Sequence, residues 1–314
     1  MRTLVVGAGA VGGYFGARLA ERASPVVFLA RGETLSALCE RGIRVESEAH
    51  PSIRIFPVRA VDRAESEGPF DLVLVCVKSP DTAAAVRDLG NCLAPDAIVV
   101  SLQNGIENEE IIERVLGLPP IPRALAFIGA ESIAFGAIRH RSGGTIVVGE
   151  PGDARSERLK RFVAFLESAG IDVRVPDDIA QAQWQKLAWN AAFNLVSALT
   201  GRTVGEALAD PGGRRLVATV IDEVEAVARA NGVRFEERYG ERVLRYTERH
   251  LGMTRPSTLQ DRERGRSLEH DALTGAVVRF AERSGMDAPV CRTLDTLAAL
   301  ASRRTPSPPP TSRT

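Results

Sequence analysis

"RTLVVGAGAVGGYFGARLAERASPVVFLARG", Arg2 to Gly32, decides the fold. An apolar run, Thr3 to Val6, enters glycine-rich sequence, an alanine-rich helix continues through Arg22, and Pro25 to Gly32 reads as a second strand. The order is β-α-β. Gly7, Gly9 and Gly12 spell G-x-G-x-x-G between strand and helix, and that context turns a weak pattern into a dinucleotide fingerprint. Gly7 permits the tight turn, Gly9 lets main chain approach a pyrophosphate without a Cβ, and Gly12 allows close helix–strand packing. Ala8, Ala10 and Val11 complete the loop, and the helix N-terminus offers N–H groups and partial positive charge to phosphate. A plain glycine-rich turn is the alternative, and it leaves the strand–turn–helix–strand order unexplained.

The end of the second strand selects the nucleotide. An acid there accepts from the adenosine ribose 2′-OH and repels a 2′-phosphate. The chain instead reads "FLARGET", with no acid before Arg31. A guanidinium forms paired, charge-assisted bonds to a phosphate dianion, so NADPH is expected over NADH. An exposed loop arginine is the bland alternative, and Glu33 weighs slightly against the phosphate. Lys78 closes the strand "LVLVCVKS", where strand C-termini face ligand in open α/β sheets, and is a second candidate for cofactor contact.

Outward from this unit, β-rich runs recur at Ile53 to Val58, Leu72 to Val77 and Ile98 to Leu102, with helix-like stretches at Asp81 to Leu93 and Glu107 to Val115. The alternation predicts an α/β fold with a doubly wound, mostly parallel Rossmann-type sheet. Beyond Ile121 the strands are glycine-punctuated, a helix follows at Ser156 to Ala169, and "IDVRVPDD" is the last strand, ended by Pro176. From Asp178 the period is helical, over 178–200, 203–209, 213–231, 236–249, 258–284 and 289–302. Residues 1–176 are therefore expected to form the nucleotide domain and 177–302 a helical domain, with 303–314 ("RRTPSPPPTSRT" from Arg303) a disordered tail.

The balance of 40 Lys+Arg against 40 Asp+Glu gives no basic surface for nucleic acid. Apolar runs such as "LVLVCV" are strand-sized, far short of the ~18 residues a membrane helix needs, so no membrane span is expected. The N-terminus enters a strand directly, leaving no room for a secretory leader, and a cytoplasmic protein is expected. Cys39, Cys76, Cys92 and Cys291 are scattered, and His50, His140, His250 and His270 are isolated. Reduced thiols and no metal site are expected.

"KLAWNAAFNLVSALTG", Lys186 to Gly201, is apolar except for Lys186, Asn190 and Asn194 at intervals of four. In a helix these positions share a face. Unpartnered burial of an amine and two amides would cost several kcal/mol, which a wet cleft removes. A solvent face is the other reading, but such faces usually carry long charged residues rather than Asn, a poor helix former.

Across residues 1 to 300 the motifs "GAGAVGG", "VKS", "SLQNGIEN", "GAIRHRSGGTIVVGE", "WQKLAWNAAFNLVSALTG", "EVEAVARANGV" and "PSTLQDRERGRSLEHDALTG" occur in the order of the ketopantoate reductases (2-dehydropantoate 2-reductases), which the chain resembles. The resemblance implies a Rossmann domain followed by an all-helical, 6-phosphogluconate-dehydrogenase-like domain. It also implies reduction of the C2 ketone of 2-dehydropantoate by NADPH to pantoate, for pantothenate and coenzyme A synthesis. The family's proton-donating lysine falls on Lys186, its substrate-binding asparagines on Asn190 and Asn194, and its nicotinamide- and substrate-contacting asparagine on Asn104. Its substrate serine falls on Ser257, and its cofactor- or substrate-contacting glutamate, which could hold the lysine or the nascent hydroxyl, on Glu269.

Taken singly, Ser257 also reads as a helix cap, Asn104 as turn chemistry and Glu269 as an exposed acid. Some family members place an asparagine where this chain has Val204, so a reductase of another 2-keto acid or an imine is the nearest rival. A non-catalytic NADPH-binding sensor is the rival from another class. No nucleic-acid or membrane partner follows, and a homodimer is compatible with the resemblance.

Overall fold

All four residues of β1 (Thr3–Val6) are buried, as expected of a strand covered on both faces. Its neighbours are parallel: β2 (Val26–Leu29) on one side and β6 (Phe70–Val75) on the other. β5 (Arg59–Val61) and β7 (Leu93–Ser101) complete a five-stranded sheet of order β5-β2-β1-β6-β7. Side chains alternate across it with period two. Val5, Phe28, Leu72 and Leu74 join one core, while Leu4, Val6, Val27, Val73 and Val75 join another with Val86, Leu89 and Ile112.

The computed structural model describes residues 1–302 apart from Ala23 and Ala154, so the expected disordered tail, 303–314, lies outside the described residues. Two compact units emerge, Met1–Gln183 and Trp184 onward, divided within one helix. In the first unit, α1 (Ala10–Glu21) lies between two sheets. Small residues make this possible: a Cβ on Gly16 would lie 2.4 Å from Phe28 on β2, and one on Gly13 would lie 2.6 Å from Ile138 of the second sheet.

That second sheet, absent from the sequence reading, has the order β10-β9-β3-β4 with β8 paired to β9. Its spine is a long hairpin, β8 (Arg123–Ala134) and β9 (Ala137–Gly149), turning at Gly136 with φ of 74°. Parallel to β9 run β3 (Ile43–Ser47) and β10 (Asp172–Arg174), and β4 (Ile53–Ile55) is antiparallel to β3. The run Ile53 to Val58, read as one strand, is strand only as far as Ile55, and β5 begins just beyond it at Arg59. Pro57 cannot donate to a ladder, and the chain leaves β4 there and resumes as β5, parallel to β2.

Helix α2 (Gly32–Arg41) follows β2 and went unpredicted. The stretch Asp81 to Leu93, expected as one helix, is a 3-10 turn (Ser79–Asp81), the short α3 (Thr82–Val86) and a second 3-10 turn (Gly90–Cys92). Helix α4 (Asn108–Leu116) matches its expectation and ends at left-handed Gly117, and α5 (Glu157–Ser168) begins at Ser156, whose hydroxyl accepts from Leu159 N.

The second unit is helical. α6 (Ile179–Trp189) runs through a π-helical segment, Asn190–Asn194, into α7 (Leu195–Thr200). A capping box between Thr203 and Glu206 starts α8 (Val204–Ala209), and Asp210 caps α9 (Pro211–Ala230). Val217, Val220, Ile221, Val224, Val227 and Ala228 give α9 a buried stripe at helical spacing. Against it pack the π segment, α8, α10 (Tyr239–His250), α12 (Ala276–Arg283) and α13 (Pro289–Ser302).

The expected helix 258–284 is broken. α11 (Ser257–Glu263) stops before Gly265, whose φ is 66°, and a second π-helical segment, Asp271–Gly275, leads into α12. Among the described residues, no helix is long and apolar enough to cross a membrane.

Candidate functional site

Because β2, β1, β6 and β7 are parallel neighbours, the loops at their C-terminal ends share one edge of the sheet. Those loops carry Arg31, the Gly7–Gly12 fingerprint, Lys78 and Asn104 respectively. Three strand spacings, roughly 14 Å, separate the outer two. One face of the first unit therefore gathers every cofactor candidate it contains.

The glycines divide their labour as their spacing predicts. Gly7 has φ of 96°, and a Cβ there would lie 2.8 Å from Val77 Cγ1. On Gly12 a Cβ would lie 2.0 Å from the Gly7 carbonyl oxygen, so that position admits no side chain. At Gly9 a Cβ would meet nothing within 4 Å; this residue is exposed and caps α1, whose first turn carries no acid. An anion approaching the N-terminus meets N–H groups and no opposing carboxylate. These residues fit a dinucleotide pyrophosphate.

Arg31 caps α2 and is exposed, and among the described residues it makes no ion pair. Glu33, in the first turn of α2, is likewise exposed. Lys78 is exposed at the end of β6, and Asn104 is half-buried after β7. The Asn104 main-chain carbonyl accepts from Asn108 Nδ2 at 2.8 Å and Ser79 Oγ at 3.0 Å.

In the second unit the polar stripe lies along α6 and the π segment. Lys186 is half-buried, while Asn190 and Asn194 are 7% and 2% exposed, so the amides are not a solvent face. Asn194 Oδ1 and Ser197 Oγ are buried and have no hydrogen-bond partner among the described residues. An ordinary α-helix drifts about 40° per four-residue step. The wider π turn rotates less per residue, so it counters that drift and keeps Asn194 closer in line with Lys186 and Asn190. No local pattern signals this turn, and nothing in the spacing singles out Ser197.

Two further candidates come from neighbouring elements. α11, headed by Ser257, packs against the first π segment and α7, and the two π segments touch. Ser257 is exposed and makes no cap hydrogen bond, the N-cap position being Pro256; the capping alternative therefore falls. Glu269 is 6% exposed, not a surface acid, and stands just before the second π segment. Val204 is fully buried.

A sequence model described as "Ketopantoate reductase PanE/ApbA" matches residues 3–153, and its companion, "Ketopantoate reductase PanE/ApbA C terminal", matches 178–301. The chain belongs to the ketopantoate reductase family. A 2-dehydropantoate 2-reductase from Mesorhizobium japonicum is 32% identical, covering 96% of this chain and 97% of that protein. Two solved structures give TM-scores of 0.88 at 31% identity: a PanE/ApbA family ketopantoate reductase from Ralstonia eutropha JMP134, covering 96% of this chain and 98% of the other, and a 2-dehydropantoate 2-reductase from Geobacter metallireducens GS-15, covering 95% and 99%. The first match spans the glycine fingerprint, Gly7 to Gly12, and the second spans the stripe of Lys186, Asn190 and Asn194.

Proposed function

We propose that the chain is an NADPH-dependent reductase of the C2 ketone of 2-dehydropantoate, giving (R)-pantoate, with Lys186 as the proton donor. The observation that carries this reading is the stripe of Lys186, Asn190 and Asn194, two of them buried amides, on an otherwise apolar helix in a chain of this family. A nicotinamide cofactor held by Gly7 to Gly12, Arg31 and Lys78 would supply hydride for the ketone carbon, so negative charge would develop on the carbonyl oxygen. Lys186 neutralises that charge by hydrogen bonding and then donates the proton.

Asn190 and Asn194 orient the substrate, and the unpartnered Asn194 Oδ1 is an acceptor suited to a substrate hydroxyl. Ser257 receives the carboxylate. Glu269 holds Lys186 or the nascent hydroxyl, and Asn104 contacts nicotinamide and substrate. Arg31 and Lys78 bind the cofactor, Arg31 through the 2′-phosphate.

NADPH oxidation followed by absorbance, with ketopantoate and a small panel of 2-keto acids, tests the reading. Turnover with ketopantoate as the preferred acid supports it. Oxidation with another acid only, a result that buried Val204 would make intelligible, leaves a reductase of a different substrate.

Arg31→Ala tests the nucleotide. A charge-assisted contact of about 1.5–3 kcal/mol corresponds to a KM for NADPH raised roughly ten- to hundredfold. KM for NADH should stay within about twofold, since that nucleotide has no 2′-phosphate. Equal changes for both nucleotides would remove Arg31 from phosphate recognition.

A further inference from the structure

The loops carrying Lys78 and Asn104 are joined by five polar side chains. Thr82, Ser101, Gln103 and Asn108 are 0%, 1%, 6% and 3% exposed, and Ser79 is half-buried. Ser101 Oγ donates to Gln103 Oε1 at 3.1 Å. Gln103 Nε2 donates to the Val77 carbonyl at 2.9 Å and to Thr82 Oγ1 at 2.7 Å. Thr82 Oγ1 lies 2.8 Å from the Ser79 carbonyl and 3.0 Å from Asn108 Oδ1, its single proton serving one at a time. Asn108 Nδ2 donates to Ser79 Oγ at 3.3 Å and to the Asn104 carbonyl at 2.8 Å, and Ser79 Oγ donates to that same carbonyl at 3.0 Å.

Counting protons fixes the orientation of both amides and leaves only the Thr82 hydroxyl a choice of acceptor. Both amide hydrogens of Gln103 and both of Asn108 are used, as are the hydroxyl hydrogens of Ser79 and Ser101. Turning the Asn108 amide over would set oxygen against the Asn104 carbonyl oxygen. A buried network whose amides can be satisfied in only one way is rigid, and here it reaches three main-chain carbonyls, those of Val77 next to Lys78, of Ser79 and of Asn104 itself.

We propose that Ser79, Thr82, Gln103 and Asn108 are positioning residues that fix the main chain at Asn104, and so aim its side chain at nicotinamide and keto acid. The inference rests on the reductase reading above. Misplacing a contact by about 1 Å costs up to ~100-fold in rate, so a network gripping one carbonyl from two donors has leverage out of proportion to its two bonds.

Asn108→Asp replaces the donor facing Asn104 with an oxygen. It should lower kcat/KM for the keto acid roughly tenfold or more and shift the fluorescence of bound NADPH, while NADPH affinity changes less than about threefold because the pyrophosphate is held elsewhere. Ser79→Ala, the milder change, should lower kcat/KM by about three- to tenfold and keep the fold intact even if Asn108→Asp unfolds. In an Asn104→Ala background either change should cost nothing further in kcat/KM, whereas a merely structural role would give the same fractional loss in both backgrounds.

Unaltered kcat/KM and unaltered NADPH emission in folded Ser79→Ala and Thr82→Val would overturn the proposal. If the wild-type chain binds NADPH yet reduces no acid in the panel, the reductase reading fails instead, and the emission of the bound cofactor still decides the positioning one.

Discussion

Lys186→Ala is expected to lower kcat for keto-acid reduction by about a thousandfold or more, equivalent to roughly 4 kcal/mol of transition-state stabilisation. The size follows from two jobs lost together: neutralising charge on the carbonyl oxygen and supplying the proton. NADPH binding should persist within about threefold, since the dinucleotide fingerprint lies in the other unit and Lys186 is assigned no contact with phosphate. Lys186→Arg separates the two jobs. A guanidinium keeps the charge and holds its proton far more tightly, so it should recover KM more than kcat. The measurements are steady-state kinetics and a fluorescence titration of NADPH on each variant; turnover of Lys186→Ala within about tenfold of wild type would leave proton donation to another group.

The parts of this site written in local sequence were legible. Glycine spacing between a strand and a helix placed Gly7, Gly9 and Gly12, and the open surroundings of Gly9 against the crowded ones of Gly12 follow from that spacing alone. Likewise, the interval of four in Lys186, Asn190 and Asn194 announced a shared face. What depended on tertiary pairing was not legible. The run Ile53 to Val58 is rich in strand formers, and nothing local says that β4 within it and β5 just beyond it join different sheets. β3 carried a usable signal, Ile43 and Val45 buried around exposed Arg44, but it is a short one beside a glycine.

The π turn at Asn190–Asn194 has no residue code of its own, since its backbone pattern is set by what packs around it. The network at Asn104 lay half in view: "SLQNGIEN" supplies Ser101, Gln103 and Asn108, whereas Thr82 and Ser79 arrive from the neighbouring strand's loop. Sequence marks polar residues near glycine as turn chemistry. Only burial reveals them as a scaffold.

One residue after Asn108 stands a carboxyl whose proton should set the chain's stability against pH. Glu109 is 2% exposed in the first turn of α4; its Oε1 accepts from Gln183 Nε2 at 3.0 Å, and its Oε2 has no partner among the described residues. Burial pushes its pKa from 4.5 up to about 7, against the opposing pull of Arg123 and with a small push from Glu113.

Below about pH 4.5 Glu109 is protonated whether the chain is folded or not, and it costs nothing. Between 4.5 and about 7 the folded chain keeps a proton that the unfolded chain has lost, so stability falls as pH rises. Above that window the carboxylate is charged in both states and its full burial cost is reached, about 3 kcal/mol at 1.36 kcal/mol per unit of pKa difference.

Glu109→Gln retains an oxygen to accept from Gln183 and never ionises. Relative to wild type it should therefore be more stable by up to about 3 kcal/mol at pH 8, and nearly unchanged at pH 4.5. Urea unfolding at the two pH values measures the difference. A variant gaining equally at both would mean that the carboxyl's charge is not what burial penalises, and a variant losing stability at pH 8 would mean that Arg123 stabilises the carboxylate by more than desolvation costs.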